Sequence, residues 1–142
     1  MAKNNKKVLN ATSTTIDGVA FKSLFEARVY KYLKDNSYSF AYEVERVNLQ
    51  ESFKPTSLFM RKTTKGFDID PSVVRAITYT PDFLIYINDY KVYVECKGFK
   101  TDSYNIKVKL FRKWLQNKDN TIFIEVKSIR ELTSAIDYIK QL

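Results

Sequence analysis

Two apolar segments joined by a short polar turn constrain the fold more than any other part of this sequence. The segments cover residues 79–87 and 92–97, and the turn between them, residues 88–91, reads Asn-Asp-Tyr-Lys. Short runs of β-branched and aromatic residues on either side of Asn and Asp are typical of two strands and a tight turn. The pattern therefore predicts a β-hairpin at the centre of the fold.

This hairpin would gather charged side chains at one end. Successive side chains of a strand point to opposite faces, so Glu95 and Lys97 share one face while Val94 and Cys96 occupy the other. A turn at residues 88–91 would bring the start of the first strand beside the end of the second. We therefore expect Asp82 to lie next to Glu95 and Lys97.

Two carboxylates and an ammonium group in this arrangement suit phosphodiester hydrolysis. Carboxylate oxygens are preferred ligands of Mg²⁺ and Mn²⁺, and such ions polarise a phosphate and lower the pKa of a bound water. A lysine can orient that water or offset negative charge.

The alternative is that Asp82 caps a turn and that Glu95 and Lys97 form a solvated ion pair. Residues 125–127 repeat the Glu-x-Lys pattern without a preceding Pro-Asp hairpin, and we interpret that copy as structural.

The composition removes many other catalytic arrangements. The chain has 142 residues, enough for one domain with a sizeable core, and it contains no histidine and a single cysteine. Catalytic triads that need histidine, His-metal nucleases and most zinc hydrolases are therefore excluded. A hydrolase built from this sequence must use carboxylates, lysine, tyrosine and hard metal ions.

The charge of the chain favours a polyanionic partner. The net charge is +8 and the pI is about 9.5, which makes nucleic acid the leading candidate. Between residues 91 and 118 there are eight Lys and Arg residues and only two acidic ones. A solvated helix face would explain such a run, but its place directly after the hairpin favours phosphate binding. The predicted DNA-binding residues are Lys100, Lys107, Lys109, Arg112 and Lys113.

No segment of the sequence indicates a membrane protein or a secreted one. There is no apolar run of the roughly 20 residues that a membrane helix needs, and the basic N-terminus is not followed by an apolar stretch. A single cysteine is typical of a reducing compartment. We expect a cytoplasmic protein.

The remaining periodicities predict an alternation of helices and strands. We predict a flexible basic arm at residues 1–15 and a single domain at residues 16–142. Within the domain, apolar spacing predicts helices over 21–34, 103–117 and 129–141, with Ile106 on the inner face of the second. Alternation predicts strands over 38–49 and 121–127, with Glu43 and Glu45 on a solvated face of the former. A lesser role for these two residues in the acidic cluster stays open, and residues 50–78 give no clear pattern.

Three segments of the sequence together resemble a known enzyme family. They are Phe21-Lys22-Ser23-Leu24-Phe25-Glu26, Tyr79-Thr80-Pro81-Asp82-Phe83-Leu84 and Val94-Glu95-Cys96-Lys97-Gly98. In this order they resemble the PD-(D/E)XK nuclease superfamily and, within it, the bacteriophage endonuclease I family of Holliday-junction resolvases. The resemblance implies an α/β fold with a restriction-endonuclease-like core, in which helices flank a central mixed β-sheet.

The resemblance also implies a role for each residue of the motif. Asp82, Glu95 and the backbone carbonyl of Cys96 would bind one or two Mg²⁺ or Mn²⁺ ions, and Glu26 would supply a further carboxylate. The Cys96 thiol itself should face the core. Lys97 would orient the attacking water or offset charge. The implied catalytic residues are thus Glu26, Asp82, Glu95 and Lys97.

The activity implied by the resemblance is metal-dependent cleavage of branched DNA that leaves 5′-phosphate ends. A homodimer is expected, because a two-fold symmetric junction is cut on two strands. Members of the family exchange their first helix between subunits, and the longer connection at residues 50–78 leaves that exchange open here. The alternatives are a related nuclease acting on duplex or flap DNA, and a non-catalytic nucleic-acid-binding module on the same fold.

Overall fold

The computed structural model of the protein describes residues 13–43 and 45–142. Within them the chain is an α/β protein with three helices and ten strands. Most of the predicted basic arm, residues 1–12, lies outside the described residues, and the first strand begins at Thr14. In chain order the elements are β1 (Thr14–Ile16), β2 (Val19–Phe21), α1 (Leu24–Asp35), β3 (Ser39–Tyr42), β4 (Val47–Gln50), β5 (Met60–Thr63), β6 (Gly66–Ile69), β7 (Ile77–Tyr79), β8 (Phe83–Ile87), β9 (Tyr90–Cys96), α2 (Asp102–Leu115), β10 (Thr121–Val126) and α3 (Ile129–Ile139).

The described residues group into two compact units. The first contains residues 13–43, 81–99 and 119–142, and the second contains residues 45–80 and 100–118. No helix in the described parts of the chain is both long enough and apolar enough to span a membrane.

A mixed four-stranded sheet forms the centre of the first unit. Its strand order is β10-β9-β8-β3, with β8 antiparallel to both of its neighbours and β10 parallel to β9. The predicted hairpin is confirmed as β8–β9, and the predicted parallel pairing of the second and third strands is confirmed as β9–β10. The hairpin turn is tighter than predicted, because Ile87 already pairs with Tyr90.

The core of the first unit lies between helices α1 and α3 and the sheet. Two buried residues of α1 and three of α3 join the inward side chains of β8, β9 and β10 in one cluster. Burying such apolar side chains contributes about 1.5–3 kcal/mol each. The fully buried members of this cluster are Val29, Leu33, Phe83, Ile85, Val92, Val94, Val126, Leu132 and Ile136.

Serine side chains fix where helices α1 and α3 begin. The Ser23 hydroxyl accepts the backbone N–H of Glu26, and the Ser128 hydroxyl accepts the backbone N–H of Glu131. Each bond satisfies one of the amide donors that a helix leaves free at its start. Helix α1 therefore begins at Leu24, three residues later than the apolar spacing predicted.

The second unit consists of helix α2 and two small antiparallel sheets. Strands β4 and β7 form one sheet, and the hairpin β5–β6 forms the other. The connection at residues 50–78 therefore contains the hairpin β5–β6, with one strand of the other sheet at each end. On α2, Tyr104 and Phe111 are buried while Ile106 is 58% exposed. The prediction of an inward Ile106 was wrong, because the buried face of this helix is centred on Tyr104 and Phe111.

Candidate metal centre

The Glu26 carboxylate is buried in the first turn of helix α1, where its two oxygens receive separate hydrogen bonds. The Ser23 hydroxyl donates to Oε1 at 3.0 Å, and the Tyr42 hydroxyl donates to Oε2 at 2.7 Å. A negative charge at this position is also favoured by the helix dipole. Only 6% of Glu26 is exposed, so its carboxylate is fixed in one orientation.

Asp82 lies immediately before strand β8 and is also buried. Because Phe83 pairs with Val94, the next position of the hairpin register sets Asp82 opposite Glu95. One Asp82 carboxylate oxygen accepts the backbone N–H of Cys96 at 2.7 Å. Burial and the negative charge of Glu95 outweigh this bond and raise the pKa of Asp82 to about 8.

Glu43 completes a set of three carboxylates with Glu26 and Asp82. One carboxylate oxygen from each of the three lies within 4.8 Å of the other two. Strand β3 ends at Tyr42, and Glu43 then takes a left-handed backbone conformation with φ of 45°. Its backbone N–H donates to the Asp82 carbonyl at 2.9 Å. The predicted continuous strand over residues 38–49 was wrong, and the alternative that Glu43 belongs to the acidic cluster is the one that the structure shows.

Glu95 and Lys97 lie together as the alternation predicted. Glu95 is 6% exposed, and its Oε1 is 3.6 Å from the ammonium of Lys97. Glu95 also interacts with Asp82: the negative charge of Glu95 raises the pKa of the Asp82 carboxyl. The second Glu-x-Lys segment is adjacent, since Glu125 of β10 pairs in register with Glu95.

Cys96 borders the same carboxylates while packing against the core of the first unit. Burial raises the pKa of its thiol, and the charges of Asp82, Glu26 and Glu95 raise it further. Both effects favour the protonated thiol, and hard ions such as Mg²⁺ prefer oxygen ligands to sulfur. Its side chain faces the core as expected, and metal binding by the Cys96 carbonyl remains a prediction.

Two neighbouring side chains were missed as members of this cluster by sequence reasoning. The Lys22 ammonium pairs with Glu43; this hydrogen bond raises the pKa of Lys22, and the charges of Glu26 and Asp82 add to the effect. The Tyr42 phenol is the other, and burial together with its bond to Glu26 raises its pKa. The alternation of polar and apolar residues did not indicate either contact, because both contacts depend on the residue at which β3 ends.

The donor set fits a hard divalent cation. Carboxylate oxygens are the ligands that Mg²⁺ and Mn²⁺ prefer, and this cluster offers oxygens from Glu26, Glu43 and Asp82 within reach of one ion. The raised pKa of Asp82 reflects buried negative charge that is poorly compensated. A cation bound here would offset that charge.

The predicted DNA-binding residues belong to the second unit. Lys109, Arg112 and Lys113 are exposed on helix α2, and Lys100 is exposed just before it. Lys107 is half-buried. Their contact with DNA remains a prediction.

The chain belongs to DUF1064, a family described as protein of unknown function, whose model matches residues 6–131. This range contains every candidate site residue named above. A search of curated proteins found no match.

Proposed function

We propose that this protein is a metal-dependent DNA endonuclease that hydrolyses phosphodiester bonds, with branched DNA such as Holliday junctions as its substrate. The observation that carries the proposal is the convergence of the buried carboxylates of Glu26 and Asp82 with the half-buried carboxylate of Glu43, beside the Glu95–Lys97 pair. The preference for branched DNA, the 5′-phosphate products and the restriction-endonuclease-like core rest on the resemblance of three short segments to endonuclease I.

Each residue of the cluster has a role in this proposal. Asp82 and Glu26 would hold one or two Mg²⁺ or Mn²⁺ ions with Glu43 and Glu95. Such an ion polarises the scissile phosphate and lowers the pKa of a bound water. Lys97, whose ammonium lies 3.6 Å from Glu95, would orient the attacking water or offset the charge that develops on the phosphate.

The charge of the protein supports a nucleic-acid substrate. The chain carries a net charge of +8, and helix α2 presents three exposed cations and one that is half-buried. Contacts from Lys109, Arg112 and Lys113 to phosphates would position DNA without reading its sequence. We expect a homodimer that makes paired cuts, as the symmetry of a four-way junction requires.

The proposal is tested by DNA cleavage assays on labelled substrates. An immobile four-way junction and a linear duplex with the same arm sequences are incubated with Mg²⁺, Mn²⁺ or EDTA. We expect paired cuts near the branch point that require a divalent metal. The variants Asp82→Ala and Glu95→Ala should abolish cleavage and leave junction binding intact or tighter, because removing a carboxylate near phosphate relieves repulsion.

The matched control is Asp89→Ala, which removes a carboxylate from the exposed turn at the opposite end of the same hairpin. This variant should cleave like the wild type. Equal cutting of the linear duplex would discard the preference for junctions and retain the nuclease. A folded wild type that shifts both DNAs and cuts neither would favour a non-catalytic nucleic-acid-binding module. Loss of DNA binding together with cleavage would show that the substituted carboxylates maintain the fold.

A further inference from the structure

We propose that Tyr42, together with Ser23, is a positioning residue that holds the Glu26 carboxylate in the orientation that binds a divalent metal. This inference rests on the proposed metal site and assigns the hydroxyl groups that support it. The two hydroxyls contact different oxygens of the carboxylate, Tyr42 at 2.7 Å from Oε2 and Ser23 at 3.0 Å from Oε1.

The Tyr42 ring is held in place by aromatic packing. Its centroid lies 4.8 Å from the Phe21 ring and 5.1 Å from the Phe83 ring, and both phenylalanines are buried. Contacts at these distances favour tilted ring geometries of the kind seen here. The phenol oxygen at the end of this ring therefore has little freedom, and its short bond transmits that rigidity to Glu26.

The chemistry of the two donors suits a metal ligand. A phenol and an alcohol are neutral donors, so they orient the carboxylate without cancelling the negative charge that attracts a cation. A lysine at the same place would compete with the ion for Glu26. Hydrogen bonds of this kind orient ligating carboxylates in metal sites, and their loss costs about 10- to 100-fold in affinity or activity.

Packing alone does not require the hydroxyl group of Tyr42. Phenylalanine would keep both ring contacts, with Phe21 and Phe83, while removing the bond to Glu26. The hydroxyl can therefore be removed separately from the ring, and Tyr42→Phe is expected to fold. Ser23→Gly is the matching change on the other oxygen, since glycine retains most of the helix-capping preference of serine.

The inference is tested by Mn²⁺ titration of the full chain in a calorimeter, without DNA. Tyr42→Phe should weaken Mn²⁺ binding by about 10- to 100-fold. Ser23→Gly should weaken it less, because its bond to Glu26 is longer. The matched control is Tyr38→Phe, which removes a tyrosine hydroxyl that accepts a hydrogen bond from Lys140 at 2.9 Å, and it should bind like the wild type.

A double-mutant comparison separates positioning from a general structural effect. In a Glu26→Gln background, adding Tyr42→Phe should change Mn²⁺ affinity by less than about twofold, because the carboxylate that it positions is already absent. An equal loss in both backgrounds would overturn the inference. Thermal unfolding in EDTA checks that each variant is folded.

The remaining outcomes are also decisive. Wild-type affinity in both Tyr42→Phe and Ser23→Gly would overturn this inference and leave the metal site standing. If Tyr42→Phe does not fold, Ser23→Gly decides alone, and wild-type affinity in that variant overturns the inference. A folded wild type that binds no Mn²⁺ would overturn the metal site and this inference together.

Discussion

The hairpins β8–β9 and β5–β6 have the same backbone pairing but differ in how far their side chains are buried. Each joins two antiparallel strands through two residues. In β8–β9 the inward side chains, among them Phe83 and Val94, are fully buried. In β5–β6 the large apolar side chains of Met60, Phe67 and Ile69 are more than half exposed. A regular backbone ladder thus forms in both, but in β8–β9 burial also fixes the side chains.

The two hairpins also hold their charges differently. In β5–β6 the cations lie over aromatic rings, with Arg61 5.1 Å from the Phe59 centroid and Lys62 5.3 Å from the Phe67 centroid. Interactions of this kind at exposed sites contribute about 0.5–1 kcal/mol. At one end of β8–β9, Asp82 and Glu95 are buried carboxylates, and burial helps to raise the pKa of Asp82. The comparison teaches that burial, more than strand pairing, decides how the charged groups of a hairpin ionise.

The largest difference is expected on truncating one phenylalanine in each hairpin. Phe83→Ala should lower the free energy of unfolding by about 3–5 kcal/mol, because it leaves a cavity in a core that is fully packed. Phe67→Ala, at a side chain that is 62% exposed, should lower it by less than about 1 kcal/mol. Urea unfolding followed by circular dichroism measures both. Equal losses would mean that Phe67 is buried in solution and that the comparison fails.

A smaller difference, of opposite sign in the two hairpins, is expected in the dependence of stability on pH. In EDTA, Asp82 has a folded pKa of about 8, above its ordinary 3.8, so its ionisation destabilises the fold as pH rises between these values. Asp82→Asn should therefore gain stability relative to wild type from pH 5 to pH 8. Hydrogen bonds from Ser72 and Arg61 instead lower the pKa of Asp70, which follows β6.

Asp70 serves as the matched control for this measurement. Its contribution to stability is present above the ordinary pKa and is lost as pH falls through the lowered value. Asp70→Asn should therefore be less stable than wild type at neutral pH, and the difference should shrink towards pH 3. Thermal unfolding across this pH range measures how the stability of each variant, relative to wild type, changes with pH. A change in the same direction for both variants would contradict the assignment of opposite environments.

The smallest effects are expected at the turns. Asn88 in the β8–β9 turn has φ of 51°, which both asparagine and glycine adopt readily, so Asn88→Gly should change stability by less than about 0.5 kcal/mol. Gly66 at the start of β6 has φ of 138°, and a Cβ there would contact nothing within 4 Å. Gly66→Ala should therefore cost about 1 kcal/mol through backbone strain alone. Thermal unfolding of both variants measures the two losses of stability. A larger loss in Asn88→Gly than in Gly66→Ala would contradict this prediction.

Sequence patterns predicted the parts of the fold in which local periodicity and burial agree. The hairpin β8–β9, the strand β10 and the three helices follow from apolar spacing, and the turn at Asn88 brings Asp82 opposite Glu95. The strands β5 and β6 carried no such signal, because each has only four residues and their large apolar side chains, Met60, Phe67 and Ile69, are exposed.

Alternation and the turn predicted the part of the candidate site that lies on β8–β9, and only the family resemblance pointed to Glu26 on α1. Glu43 enters the cluster through a positive φ at a residue that is not glycine, and neither alternation nor turn composition marks such a position. The contacts of Lys22 and Tyr42 follow from that break in the strand. Long-range geometry of this kind depends on tertiary packing, which overrides local preference.

The order in which the cluster assembles follows from where its members lie along the chain. Asp82 and Glu95 are joined by one tight hairpin, and such hairpins close within about 1–10 μs. Glu26 lies far earlier in the chain and meets Asp82 only once α1 docks against the sheet, after a much longer loop has closed. A metal held by both would therefore find its complete ligand set late in folding. Its effect would be to prolong the lifetime of the native state, with little influence on how fast that state is reached.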